Sequence, residues 1–314
     1  MAGKADIAIV GAGLVGSGWA LVFARAGHTV RAYDPSAEVR DRILPWARDS
    51  LAELKAAGLL EEEPEAIFAR LSVHDSLAEA VAGVSYVQES VYETVEAKSA
   101  VSLELDALIG PEVIVGSSSS GIPASRFTEG CGQRGRFLIV HPVNPPHLVP
   151  VVELVPAPWT DPEAVEMVSA LMTAVGQVPV CLTREIDGFV LNRLQGVLLN
   201  EAWALYEDGI ASLADIDATI AHGLGLRWSF MGPFETIDLN APGGIADYAA
   251  RLRGLYAGMV RMPPPGPWPD AVIDRAEAER RTRLPAEGLA ARRAWRDAGL
   301  ARLAAFKKEA FPTQ

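Results

Sequence analysis

Hydrophobic positions give this chain two rhythms. Up to about residue 183, short runs of aliphatic and β-branched residues read as strands at 7–10, 29–34, 71–73, 84–89, 113–115, 136–140, 151–155 and 178–181. Amphipathic stretches between them predict helices at 36–58, 64–70, 77–82, 96–108 and 163–175, besides one closed by Gly27. Repeated strand–helix alternation predicts an α/β fold with a Rossmann-type, doubly wound, mainly parallel sheet. From residue 189 the rhythm changes. Phe189, Val190, Leu194, Val197, Leu198, Ala202 and Leu205 recur at helical spacing, predicting a helix over 189–206. Shorter helices are predicted at 212–223 and 234–256, then a Pro-rich interruption at 262–268 and a charged amphipathic helix at 289–308. No further strand is predicted. The expected organisation is an α/β domain at 1–183 and an all-α domain at 184–314.

The first forty residues carry the strongest local signal. Ile7-Ala8-Ile9-Val10 runs into Gly11-Ala12-Gly13-Leu14-Val15-Gly16, which opens a helix, and the second strand finishes on Asp34. Gly11 allows the tight turn, Gly13 lets the backbone approach a pyrophosphate, and Gly16 lets the helix pack on the strand. The helix N-terminus offers free N–H groups and a partial positive charge to phosphates. Asp34, 21 residues beyond Gly13, is placed to accept hydrogen bonds from an adenosine ribose. A carboxylate there repels a 2′-phosphate, and the nearest downstream cation is Arg40, so NAD is expected over NADP. FAD uses the same fingerprint, and the motif alone does not separate the two.

Composition narrows the class. The chain has 314 residues, 49% apolar and 22% charged, with a formal net charge of −12. That charge argues against nucleic acid or an anionic membrane surface as a partner. Two cysteines, Cys131 and Cys181, make no disulfide framework, and no Cys/His spacing suggests a metal. The N-terminal residues run straight into the first strand with no signal-peptide pattern, and the expected compartment is the cytoplasm.

Ligands gather at the carboxyl ends of strands in an open parallel sheet. Asp34, Glu93, the Ser117–Ser120 run and His141 all fall there. His141 ends a strand and precedes Pro142-Val143-Asn144-Pro145-Pro146. Oxidising an alcohol needs a base for the hydroxyl proton, and histidine titrates in the right range. Glu153 is a lone carboxylate inside an apolar strand, and such an acid is rarely buried without a partner. Two readings stand at this point: a catalytic pair, or a loop histidine beside an edge-strand glutamate. The serine run is either a turn or part of a site. No Gly-x-Ser-x-Gly elbow surrounds it, which argues against a serine hydrolase. Asn192, one turn into its predicted helix, is either a donor to a substrate oxygen or an ordinary first-turn polar residue.

Taken together, Gly11–Gly16, Glu93 to Lys98, Ser117–Ser120, His141-Pro-Val-Asn-Pro-Pro, Glu153-Leu-Val-Pro, Gly188-Phe-Val-Leu-Asn192-Arg and Met231-Gly-Pro-Phe-Glu235 resemble the 3-hydroxyacyl-CoA dehydrogenase superfamily. Val190-Leu-Asn-Arg-Leu-Gln195, Glu201-Ala-Trp203 and the tail from Leu289 to Asp297 resemble its L-gulonate 3-dehydrogenase branch, which includes lambda-crystallin. The resemblance spans nearly the whole chain. It implies His141 as catalytic base paired with Glu153, Asn192 and Ser120 as substrate-side groups, with Ser119 the other register of the serine run, and Asn144 as a second asparagine. For NAD it implies Gly11, Gly13, Leu14, Val15 and Gly16 in the loop, Asp34 on the ribose, and Glu93 with Lys98 near the nicotinamide ribose. The chain departs from the pattern in having only serines in that loop and in His147, where an aromatic is expected. His147 reads as a rim residue, bringing a second imidazole near the site. His28, His74 and His222 have no such context.

The substrate is less constrained. Residues 36–58 carry Arg40, Arg42, Arg48 and Lys55, but also Glu38, Asp41, Asp49 and Glu53, which makes a poor cradle for coenzyme A phosphates. Arg227 is placed to meet a small carboxylate, or to support packing between domains. The expected substrate is a small 3-hydroxy acid such as L-gulonate. The alternatives are a short-chain 3-hydroxyacyl-CoA, L-carnitine, or a non-catalytic, NAD-binding structural role. The resemblance also implies a homodimer through the helical domain.

Overall fold

A computed structural model describes residues 5–259 and 268–310. It divides into two compact units. The first comprises the chain to Arg193 together with Arg296–Phe306; the second comprises Leu194–Trp295 and the remaining tail.

The first unit is built on strands β1 (Asp6–Val10), β2 (Thr29–Tyr33), β3 (Leu71–Val73), β4 (Tyr86–Glu89), β5 (Ile114–Ser117), β6 (Phe137–Pro142), β7 (Val151–Pro156) and β8 (Val178–Cys181). Helices α1 (Leu14–Arg25), α2 (Ala37–Ala56), α3 (Pro64–Phe68), α4 (Leu77–Val81), α5 (Val95–Leu108) and α6 (Pro162–Ala174) accompany them. The sheet order is β3-β2-β1-β4-β5-β6-β7-β8. All neighbours are parallel except β6 and β7. The order reverses between β1 and β4, which is the crevice where a doubly wound sheet binds nucleotides.

The pleat explains why β1 is apolar on both faces. Ile7 and Ile9 join Trp19, Phe23, Leu51 and Met172 on one side. Ala8 and Val10 join Leu77, Val81, Leu105 and Val115 on the other. Each of the larger aliphatic or phenyl side chains, fully buried, contributes roughly 1.5–3 kcal/mol. Helix starts follow local chemistry: Ser36, Ser76 and Thr94 cap α2, α4 and α5 through their hydroxyls. Helix α2 runs through Pro45.

The second unit is helical: most of α7 (Leu191–Glu207), then α8 (Leu213–Thr219), α9 (Gly225–Trp228), α10 (Pro233–Leu239), α11 (Gly244–Ala257) and α12 (Asp270–Arg283). Helix α13 (Leu289–Ala310) is shared, and its Ala301 lies in the core of the first unit. Several expectations change. The units divide ten residues later than the composition shift near 184, because Phe189 is fully buried in the first unit beside Phe127, Ile139 and Val155. Phe189 and Val190 precede α7 rather than belonging to it. The 212–223 helix gives way to a π-turn at Ile220–Leu224, and the 234–256 helix breaks before Gly244, whose φ is +73°. Helix α12 was not foreseen, because charged residues swamp its few apolar positions. The Pro-rich interruption lies almost entirely outside the described residues. Among the described residues, no helix is long and apolar enough to cross a membrane.

Candidate active site

At the nucleotide end, the three glycines of the loop differ in what surrounds them. Gly11 has φ +88°, and a Cβ on it would lie 2.6 Å from the Ser90 carbonyl carbon. A Cβ on Gly16 would lie 1.9 Å from the Gly11 carbonyl oxygen. Gly13 has nothing within 4 Å of that position, and it begins α1 with no side-chain cap. The first turn of α1 therefore presents N–H groups toward open space, while Gly11 and Gly16 hold the loop's shape. Asp34 clasps this turn: Oδ2 accepts the Ala12 N–H at 2.9 Å, and Oδ1 accepts the Ser36 N–H at 2.9 Å. An uncapped helix N-terminus with a glycine-lined approach and a carboxylate at the next strand end fits NAD.

The serine run lies at the carboxyl end of β5, and its four hydroxyls part company. Ser117 donates to Glu89, and Ser118 meets Trp19 Nε1 at 3.2 Å, Gln88 Nε2 at 2.8 Å and Ser90 Oγ at 2.8 Å. Ser119 is fully buried, with Oγ 2.7 Å from Glu93 Oε1 and 2.8 Å from the Ile122 carbonyl oxygen. Ser120 is exposed. Glu93 Oε1 also accepts the N–H groups of Ser120 at 2.7 Å and Gly121 at 3.0 Å. Burial opposes its charge, but those donors and nearby Lys98 hold its carboxyl below the usual range.

Lys98, close enough to lower the Glu93 carboxyl, is itself bound to a second acid. It is 1% exposed, and its ammonium lies 3.1 and 3.2 Å from the two carboxylate oxygens of Glu89, itself 1% exposed. A buried ammonium needs its counter-ion close. This pair, with Ser117, braces the β4 and β5 ends from beneath. Glu89, like Glu153, is a buried strand carboxylate with a partner, but it ends β4 where Glu153 lies within β7.

His141 and Glu153 face each other across the antiparallel β6–β7 pairing. His141 Nδ1 lies 2.8 Å from Glu153 Oε2, and both side chains are buried. A carboxylate at Nδ1 favours the tautomer protonated there, which leaves the Nε2 lone pair free to accept a proton. Glu153 Oε1 accepts the N–H groups of Val190 at 2.8 Å and Leu191 at 2.9 Å. Burial opposes the Glu153 charge, but the His141 contact and these two N–H groups hold its carboxyl below the usual range. The chain reaches that position through Gly188 (φ +74°) and Phe189 (φ +50°), a left-handed turn costly for a phenylalanine. The Phe189 ring centroid lies 5.6 Å from that of His141.

The first turn of α7 joins the dyad to the serine turn. Leu191 donates to Glu153, and the next residue, Asn192, donates from Nδ2 to the Ser120 carbonyl oxygen at 2.6 Å. The Leu191–Asn192 peptide link thus joins two sets of hydrogen bonds, one running from Glu93 through Ser120 to Asn192 and the other from Leu191 through Glu153 to His141. Asn144 is exposed in the loop after β6. Arg227 lies exposed in α9 of the second unit. His147 does not join the site. Its Nδ1 would meet a Cβ on Gly18 of α1 at 3.2 Å, its ring packs edge-on against Trp46, and its carbonyl accepts from Arg25 at 3.1 Å. Burial and Arg25, against Asp297, push it down to about 4, and its Nδ1 has no partner.

A switch-point crevice for a dinucleotide and an imidazole hydrogen-bonded to a buried carboxylate fit an NAD-dependent dehydrogenase acting on CH–OH groups. The comparisons agree. The family models described as the NAD binding and C-terminal domains of 3-hydroxyacyl-CoA dehydrogenase match residues 6–186 and 188–283. The chain belongs to the 3-hydroxyacyl-CoA dehydrogenase family. Lambda-crystallin of Oryctolagus cuniculus is 39% identical over 314 residues, covering 98% of both chains. L-carnitine dehydrogenase of Streptomyces griseus is 37% identical over 241 residues, covering 76% of this chain and 71% of its own. A solved 5-formyl-3-hydroxy-2-methylpyridine 4-carboxylic acid 5-dehydrogenase, an NAD+-dependent dismutase, has a TM-score of 0.83 at 27% identity, covering 98% of this chain and 99% of its own.

Proposed function

We propose that the protein oxidises the 3-hydroxyl carbon of a small hydroxy acid of the L-gulonate kind to the 3-keto acid. Bound NAD supplies the acceptor for the hydride leaving that carbon. His141 Nε2 takes the hydroxyl proton, while Nδ1–H stays on Glu153, whose carboxylate offsets the imidazolium charge. Positioned acid–base catalysis of this kind contributes ~10²–10⁴-fold. Ser120, whose backbone is fixed by Glu93 and Asn192, keeps its hydroxyl for the reacting oxygen. Asn192 has a second amide proton for the same oxygen.

The observation that carries the choice of a small acid is the state of the α2 cations. Arg42 is paired with Glu38, Lys55 with Glu63 and Arg40 with Asp75, and Arg48 stacks 4.4 Å over Phe68. Engaged in this way, they offer little to coenzyme A phosphates. Arg227 is the proposed partner for the substrate carboxylate, and Asn144 a second polar contact. Initial rates with NAD on L-gulonate, L-carnitine and 3-hydroxybutyryl-CoA test the reading. The expected order puts L-gulonate first. A higher kcat/KM on the thioester would transfer the protein to acyl-CoA chemistry, and no turnover of any substrate would support a structural role.

The helical unit supports a homodimer. Its buried core is small, centred on Tyr206, Val272 and Ala276, while Val197, Phe234 and Leu239 are each about 70% exposed. Sedimentation at micromolar concentration is expected to give twice the chain mass, and a monomer would remove this part of the proposal.

A further inference from the structure

Arg40 is the nearest cation downstream of Asp34 in the sequence, and it is not free. It stands in the first turn of α2, where Nη1 donates to the carbonyl oxygens of Asp34 at 2.7 Å and Pro35 at 3.2 Å. Its Nε lies 3.2 Å from Asp75 Oδ1. The arginine side chain is 17% exposed and that of Asp75 is 93% exposed. Asp75 lies two residues beyond the end of β3, the strand next to β2. The loop after one strand thus reaches over to hold the arginine that follows the other.

A cavity of about 430 Å³ opens at this point, lined by Arg40, Asp41, Asp75, Leu44, Pro45 and Val73 among others. Its charged groups are two acids and one arginine already engaged, and that arginine links the cavity to the Asp34 carbonyl. A ribose 2′-phosphate placed beyond Asp34 needs a guanidinium able to turn its N–H fork toward it. The guanidinium here is spent on two carbonyls and a carboxylate.

We propose that Asp75 is a cofactor-selectivity residue: by holding Arg40 against the β2–α2 turn it denies the 2′-phosphate of NADP its partner, and with Asp34 sets the preference for NAD. Asp75 is a positioning residue, acting through Arg40 without touching the cofactor. Because it is almost wholly exposed, its replacement leaves the core untouched.

The test is equilibrium binding of the reduced cofactors, read by nucleotide fluorescence on the full chain, with a melting curve for each variant. In Asp75→Ser the ratio of the NADPH to the NADH dissociation constant is expected to fall about three- to tenfold, the scale of one freed charge-assisted contact. In Asp75→Ser/Arg40→Gln that fall is expected to disappear. An unchanged ratio in the single variant overturns the proposal. So does a fall that persists without Arg40, since simple removal of negative charge would then explain it.

Discussion

Between Gly11 and Asp34 the protein works with main chain: two glycines hold the turn, a third leaves it open, and the presented groups are helix N–H donors. Between Glu89 and Asn192 it works with side chains: a buried ion pair, a buried His–Glu dyad and a serine turn gathered onto Glu93. The nucleotide end is local in sequence, and the catalytic end is assembled from β4, β5, β6, β7 and the start of α7. A main-chain site depends on space at single positions. A side-chain site depends on partners, each of which leaves a buried polar group stranded when its counterpart is removed.

The largest effect is expected at the buried pair. Lys98→Met leaves Glu89 uncompensated and should cost about 3–5 kcal/mol in urea unfolding, with part of the loss recovered in Lys98→Met/Glu89→Gln. A single-variant loss below about 1 kcal/mol would mean that the pair does not brace these strand ends. Next comes the orienting acid. Glu153→Gln should lower kcat about 10²-fold or more while leaving the NADH dissociation constant within about twofold. A matching loss of cofactor affinity would join the two ends that the comparison separates.

His147 lies apart from the dyad, against Gly18 of α1 and Trp46 of α2. Its folded value of about 4 lies below the ordinary 6.5. The unfolded chain therefore binds a proton that the fold refuses, so this contribution is present above about pH 6.5 and lost as pH falls toward 4. Over that window wild-type stability should drop by about 2–3 kcal/mol more than that of His147→Phe. Parallel pH profiles for the two proteins would contradict this placement. The smallest effect belongs to the open glycine. Gly13→Ala should weaken NADH roughly tenfold with an unchanged melting temperature, because its methyl enters only the space a pyrophosphate needs. A fall in melting temperature would show that Gly13 has a packing role instead.

The same contrast explains what could be read from residues alone. The glycine turn, Asp34 and the strand ends were legible because each rests on neighbours in sequence. His141 and Glu153 were legible as chemistry, but their meeting depends on the antiparallel register of β7, which no local pattern specifies. Phe189 looked like the first apolar position of a helix. Its spacing fits one, yet its left-handed conformation follows from burial against Ile139 and Val155. The ion pair of Lys98 with Glu89 was not legible, because it depends on both side chains being buried at the β4 end. Ser119 and Ser120 were interchangeable as letters, and only the position of Glu93 buries one and exposes the other. Helix α12 is mostly charged, so its few buried positions, Val272 and Ala276, made no visible stripe.

The central claim is that His141 moves the proton and the glycine loop holds the nucleotide independently of it. Single-turnover oxidation and NADH binding, measured on one preparation of His141→Gln, test it most directly. The expected result is a hydride-transfer rate lower by roughly 10³-fold, with a dissociation constant within about twofold of wild type. An unchanged rate, or a rate and an affinity lost together, would contradict it.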